Sequence, residues 1–178
     1  MVYYKDESIL VRNMVEGDAT YFPAQEIAQG WLNASPEKYF MRLEHARAGK
    51  CISLVAEYEG VPAGYIHVYP DCPWGAFGGM GYCELVDFGV LQKFQRRRIG
   101  TKLLDVAEGI AFSYGDKVYL GVRLHAGYGA AQRLYVKRGY VPDGSGVWYD
   151  DRVCPPYSDC KNDDGLILYL LKERSVSD

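Results

Sequence analysis

The chain has no C-x-x-C pair. Cys51, Cys72, Cys83, Cys154 and Cys160 are scattered, and His45, His67 and His125 stand far from one another. This spacing excludes the usual zinc frameworks and leaves partly buried, reduced thiols as the expectation, with no metal. No apolar run approaches the ~20 residues of a membrane-spanning helix. The start, MVYYKDESIL, lacks the charged-then-apolar layout of a secretory signal, so a cytoplasmic protein is expected. Excess positive charge is missing as well: the formal net charge is -3, which argues against a general binder of nucleic acid or anionic membranes. There is no G-x-x-x-x-G-K-[ST] loop and no G-x-G-x-x-G fingerprint, and the clusters GAFGGMG (75–81) and GYGAA (127–131) match neither. Internal repeats and low-complexity tails are absent too.

What is present is an ordinary globular composition, 48% hydrophobic and 24% charged over 178 residues, enough for one domain to bury a core without staples. The pattern predicts a short strand over 9–12 and a turn-like EGDA that starts a helix. It then predicts helical residues over 24–48, broken near NASPEK, where Ser35 and Pro36 form a cap and first-position pair. CISLVAEYEGVPAGYIHVYP reads as a hairpin with a Gly-Val-Pro turn, DCPWGAFGGMG as a loop, and YCELVDFGVL as an apolar, central strand. Leu103, Val106, Ala107, Ile110, Ala111 and Tyr114 keep helical spacing from Ile99 until YGD ends it. KVYLGVRL alternates as a strand, GAAQRLYVKRGY is a short helix closed by Gly139, and GLILYLL is a last strand. The stretch 142–164 is predicted to be a loop, long for an idle connection. The order gives an α/β fold with a mixed sheet and a strand–helix–strand crossover in its middle.

The one concentration of cations is at GVLQKFQRRRIGTKLL, where the central strand turns into a helix. Such a turn presents unpaired backbone N–H groups, and the helix dipole adds partial positive charge. With Gln95, Arg96, Arg97, Arg98 and Gly100 on it, the turn suits a phosphate-bearing ligand. A solvated basic patch is the alternative.

These residues resemble the signature of the GNAT superfamily of N-acetyltransferases, [QR]-x-x-G-x-[GA] after a strand ending in Val. AQRLYVKRGY, Ala131 to Tyr140, resembles the family's second signature. The resemblance covers roughly residues 8–172 and implies one GNAT-like domain over 1–178, with a mostly antiparallel central sheet and helices on both faces. It departs from the family at Arg98, where the middle glycine is usual, and at Tyr128, where many members carry an Asn on the cofactor arm.

The activity implied is transfer of an acetyl group from acetyl-CoA to a primary amine of a small molecule or peptide, with a homodimer allowed. By the resemblance, Val90 offers a backbone N–H to the acyl oxygen and Leu91 follows on the same edge. The cofactor is expected on Gln95, Arg96, Arg97, Arg98, Ile99, Gly100 and Thr101, with Tyr128 beside its arm. The resemblance also places Tyr135 near the sulfur as general acid. An ammonium near pKa ~10.4 must lose a proton before attack. For that base the strand offers Glu84, which shares parity with Val90 and stands at the family's spacing before Gln95, and Asp87 on the opposite face if the strand is regular. Gly89 fits a bulge beside a ligand. A CoA-binding module without turnover, or a transferase of another acyl group, remains open. So does the part played by the acids and aromatics of 142–164, which suit a cationic amine or merely turns.

Overall fold

The computed structural model describes residues 1–31 and 34–174. Among these are nine strands and four helices, with a sheet order of β1-β2-β3-β4-β5-β6-β9-β7-β8. In sequence they are β1 (Val2–Lys5), β2 (Ile9–Asn13), α1 (Glu16–Ala28), α2 (Pro36–Arg47), β3 (Ile52–Tyr58), β4 (Val61–Tyr69), β5 (Cys83–Val90), α3 (Ile99–Tyr114), β6 (Lys117–Arg123), α4 (Gly129–Lys137), β7 (Val141–Tyr149), β8 (Arg152–Val153) and β9 (Leu166–Glu173). The sheet is mostly antiparallel; β5 and β6 pair in parallel at Cys83↔Val118 and Glu84↔Tyr119. Contacts divide the chain into two units. One comprises 1–69 and 86–110, the other 70–85 and the chain from Ala111 onward.

In the first unit, β2, β3 and β4 form an antiparallel meander. The β3–β4 turn is Glu59-Gly60, both at positive φ (50° and 80°), not the expected Gly-Val-Pro. Two left-handed residues make the tight turn whose twist matches the flanking strands. Helix α1 begins at Glu16, on the EGDA segment expected to start a helix: the Asp18 carboxylate accepts from the Val15 N–H at 2.8 Å and is clamped by Arg12 at 2.7 Å. A buried acid at the first turn sets the start against the propensity cost of Pro23 inside the helix. At α2, Ser35 precedes Pro36 as expected, but its hydroxyl goes to Glu37. Met14, Ala19, Phe22, Tyr39, Leu43, Val55, Tyr65 and Leu91 form this unit's core cluster.

In the second unit, β6 pairs with β9 along its whole length, and β9 pairs with β7. Most of β7 lies where a loop is expected. Pro142, Asp143, Gly144 and Gly146 disguise it, being residues that strands avoid. The register slips between Pro142 and Val147, with Gly144 and Gly146 both at φ 85°, so the strand is made by pairing to β9 around a bulge. The acids nearby act as turn formers: Asp143 accepts from the Ser145 N–H, Asp163 from the Gly165 N–H, and Asp150 and Asp151 take positive φ between β7 and β8.

Candidate active site

In the first unit the basic turn leads from β5 into α3. Arg96 and Arg98 both stand at φ 63°, a conformation that costs a non-glycine residue about 1 kcal/mol or more. That explains why a glycine suits the Arg98 position, and the arginine keeps the backbone path while adding a guanidinium. Arg96, Arg97, Arg98 and Lys102 line an open cleft of about 700 Å³ with Tyr4 and Tyr58. The Arg97 guanidinium lies 5.0 Å from the Tyr58 ring centroid, and the Lys102 ammonium 4.6 Å from that of Tyr4. Gln95 reaches back, its Nε2 donating to the Val90 carbonyl at 3.1 Å. A Cβ on Gly100 would sit 2.9 Å from Phe88, so only glycine lets the helix start pack this closely on β5. Thr101 is exposed on the first turn of α3, whereas Ile99 is 1% exposed and offers only its backbone. Four cations at a helix N-terminus fit the phosphates of a nucleotide-bearing cosubstrate.

Leu91, expected on the cofactor-facing edge, packs its side chain in this unit's core cluster. It is 1% exposed, its N–H donates to the Ala63 carbonyl at 2.9 Å, and its carbonyl accepts from Phe94. The irregularity of β5 also moves. Gly89 is needed for close approach, since a Cβ there would fall 2.7 Å from the Tyr65 ring. The positive φ is at Asp87 (53°), so alternation does not run unbroken from Glu84 to Val90. Asp87 accepts from Arg42 at 2.8 and 2.9 Å. Burial pushes its pKa up, but Arg42, His67 and Lys38 hold it below the usual carboxylate value. Arg42 also donates to Tyr69 Oη at 2.6 Å, and Tyr69 meets His45 Nδ1 at 2.8 Å. His67, fully buried, reaches Ser53 Oγ through Nδ1 at 3.0 Å, and burial lowers its pKa to about 3.

The sequence pattern missed a second carboxylate of this unit. Glu26, 2% exposed, accepts from Tyr39 Oη at 2.6 Å and from Tyr65 Oη. The signal was the helical stripe Ala19, Phe22, Glu26, an acid on the face that buries.

In the second unit Glu84 is 6% exposed and accepts from Cys72 Sγ at 2.7 Å and Tyr119 Oη at 3.4 Å. Burial, then Glu84 itself, pushes the Cys72 thiol up to about 12 and raises Tyr119 further, so both donors stay protonated. Tyr135 on α4 is 6% exposed, with its ring edge-on to Tyr140 at 5.9 Å. Burial raises its pKa, Tyr128 adds to the rise and Arg123 opposes it. Tyr128 packs edge-on to His125 at 4.9 Å, and the Arg123 guanidinium lies 5.6 Å from its ring. The pattern thus brings residues 95–101 together on one turn, and Tyr128 and Tyr135 into one electrostatic neighbourhood.

Residues 14–140 match the acetyltransferase (GNAT) family. No curated protein sequence matches the chain. Among solved structures, a putative acetyltransferase from Salmonella typhimurium with acetyl-CoA, yncA, is similar at 16% identity and a TM-score of 0.67, with 96% of each chain covered. An acetyltransferase from the same organism that modifies the N-terminal serine of ribosomal protein L7/L12 is similar at 10% identity and a TM-score of 0.71, covering 98% of this chain and 100% of that one. A ribosomal-protein-alanine N-acetyltransferase from Brucella melitensis gives 21% identity and a TM-score of 0.65, covering 92% and 99%. No helix among the described residues is long and apolar enough to cross a membrane.

Proposed function

The chain belongs to the GNAT family of acetyltransferases, and on that premise we propose that it moves an acetyl group from acetyl-CoA to a primary amine. The observation that carries this reading is the basic turn. It gathers Arg96, Arg97, Arg98 and the start of α3 around a left-handed backbone path suited to the phosphates of coenzyme A. Acetyl-CoA supplies the activated acyl group; the chain's residues bind it, orient it and manage two protons. The Val90 N–H is the donor to the acyl oxygen, and Gln95, donating to the Val90 carbonyl, ties the basic turn back to the end of that strand. Tyr135 gives its proton to the departing thiolate. Burial keeps the phenol protonated, the form an acid must hold before the step.

Glu84 takes the amine's proton, directly or through water. Asp87 is the weaker base, because its pair with Arg42 favours the anion. The acceptor is a small-molecule or peptide amine; two relatives named for ribosomal-protein N-termini make a protein α-amine a natural first candidate.

The test is thiol release from acetyl-CoA with a panel of primary amines and N-terminal peptides, on the parent and on Tyr135→Phe. The variant keeps the ring and loses the proton, so kcat should fall ~100-fold while acetyl-CoA binding stays within about twofold. A kcat within about twofold of the parent returns Tyr135 to a packing role. Thermal stabilisation by CoA with no turnover of any amine makes the chain a binding module.

A further inference from the structure

The side chains of Tyr39 and Tyr65 meet at a corner, their centroids 5.1 Å apart and their planes at 84°. The Lys38 ammonium lies in that corner, 4.5 Å from the Tyr39 centroid and 5.3 Å from that of Tyr65. Both rings are buried, at 0% and 4% exposure, and their hydroxyls converge on the buried Glu26 carboxylate. Each hydroxyl donates a hydrogen bond to Glu26, which makes each ring more electron-rich and its face more attractive to a cation. The ammonium is also close enough to Asp87 to favour that carboxylate's charge. Two ring faces and a flanking acid are the elements by which proteins hold alkyl ammonium groups, and here the chain's own lysine supplies the group.

The corner adjoins the strand where acyl transfer is proposed. A Cβ on Gly89 would fall 2.8 Å from Tyr65 Oη, and the next residue is Val90. Lys38 is half-buried on the first turn of α2, so its side chain runs between the buried corner and the surface. We infer that the Tyr39–Tyr65 corner is the binding site for the acceptor's ammonium, and that Lys38 is a resident occupant which an incoming alkyl amine displaces. The inference rests on the acetyltransferase reading and narrows its acceptor to a cationic amine on a flexible aliphatic chain, the chemistry that Lys38 itself displays.

Lys38→Ala empties the corner at a helical site that tolerates alanine. With the full chain labelled at its tyrosine rings, n-butylammonium should shift the Tyr39 and Tyr65 resonances of the variant at about tenfold lower concentration than in the parent. The neutral n-butanol should leave them still. In turnover, the KM for an alkyl primary amine should fall by a similar factor, with the KM for acetyl-CoA unchanged. Tyr39→Leu in the same background should reverse both gains. If the double variant does not fold, Lys38→Ala alone decides. Silent tyrosine rings together with an unchanged amine KM overturn the corner while leaving acetyl transfer standing. An equal response to butanol also overturns it. Ring shifts specific to the ammonium, with no amine acetylated by either protein, uphold the corner and overturn the transfer reading.

Discussion

Glu84 and Asp87 lie three residues apart on one strand, and the chain treats them in opposite ways. Asp87, at the left-handed φ of 53°, is held by a guanidinium at 2.8 Å. Glu84, 6% exposed, accepts from a thiol and a phenol that burial keeps neutral. The first carboxylate is fixed as an anion and locks Arg42, Tyr69 and His45 into one network. The second accepts from two donors that stay protonated and is the base in the proposed transfer. Two acids on one strand thus differ by partner, not by residue type, and the proposed function gives them different roles.

The sharpest break of that division is Arg42→Met. It leaves Asp87, 19% exposed, without its cation, and urea unfolding should show a loss of about 3 kcal/mol, the low end for a buried pair. Glu84→Gln keeps the shape and an acceptor for Cys72 and Tyr119. Its unfolding midpoint should stay close to the parent's while kcat falls ~100-fold and CoA affinity holds. If Asp87→Asn slows turnover and Glu84→Gln does not, the two roles are exchanged.

A smaller effect concerns His67, on the Asp87 side. Its folded pKa of about 3 lies below the ordinary histidine value of 6.5, so between these values the unfolded chain binds the extra proton. Stability is therefore fully present above pH 6.5 and falls as the pH drops toward 3, by about 2 kcal/mol at pH 5 from this group alone. His67→Gln, which keeps a partner for Ser53, should flatten that part of the stability–pH curve; an unchanged slope assigns it to other groups. The smallest expected change is Arg98→Gly. Relief of the left-handed φ should raise stability by about 1 kcal/mol while the lost guanidinium weakens CoA binding severalfold, read by calorimetry. Weaker binding without added stability would mean that the arginine's own contacts offset its strain.

The legible parts of the molecule were those written in local pattern. The periodicity from Ile99 onward, the alternation in KVYLGVRL and the arginine-rich turn lead directly to α3, β6 and the basic cleft. β7 was hidden because Pro142, Asp143, Gly144 and Gly146 disfavour a strand, and only the ladder with β9 overrides them. The parity argument on β5 was undone by Asp87, since a positive φ at an aspartate leaves no mark in sequence and needs Arg42, 45 residues away, to hold it.

The sequence by itself determined the family, the strand-to-helix turn that gathers the arginines, and the placement of Tyr135 on the second signature helix. Each depends on residues close together in the chain, where spacing alone decides which groups share a turn or a face. The tertiary structure decided which acids are paired and which are held by neutral donors. It also placed Glu26 beneath two tyrosines and set Lys38 in their corner. These depend on contacts between distant residues, and a carboxylate's charge or a ring's attraction for an ammonium is fixed by what lies within a few ångströms in space, whatever its neighbours in sequence.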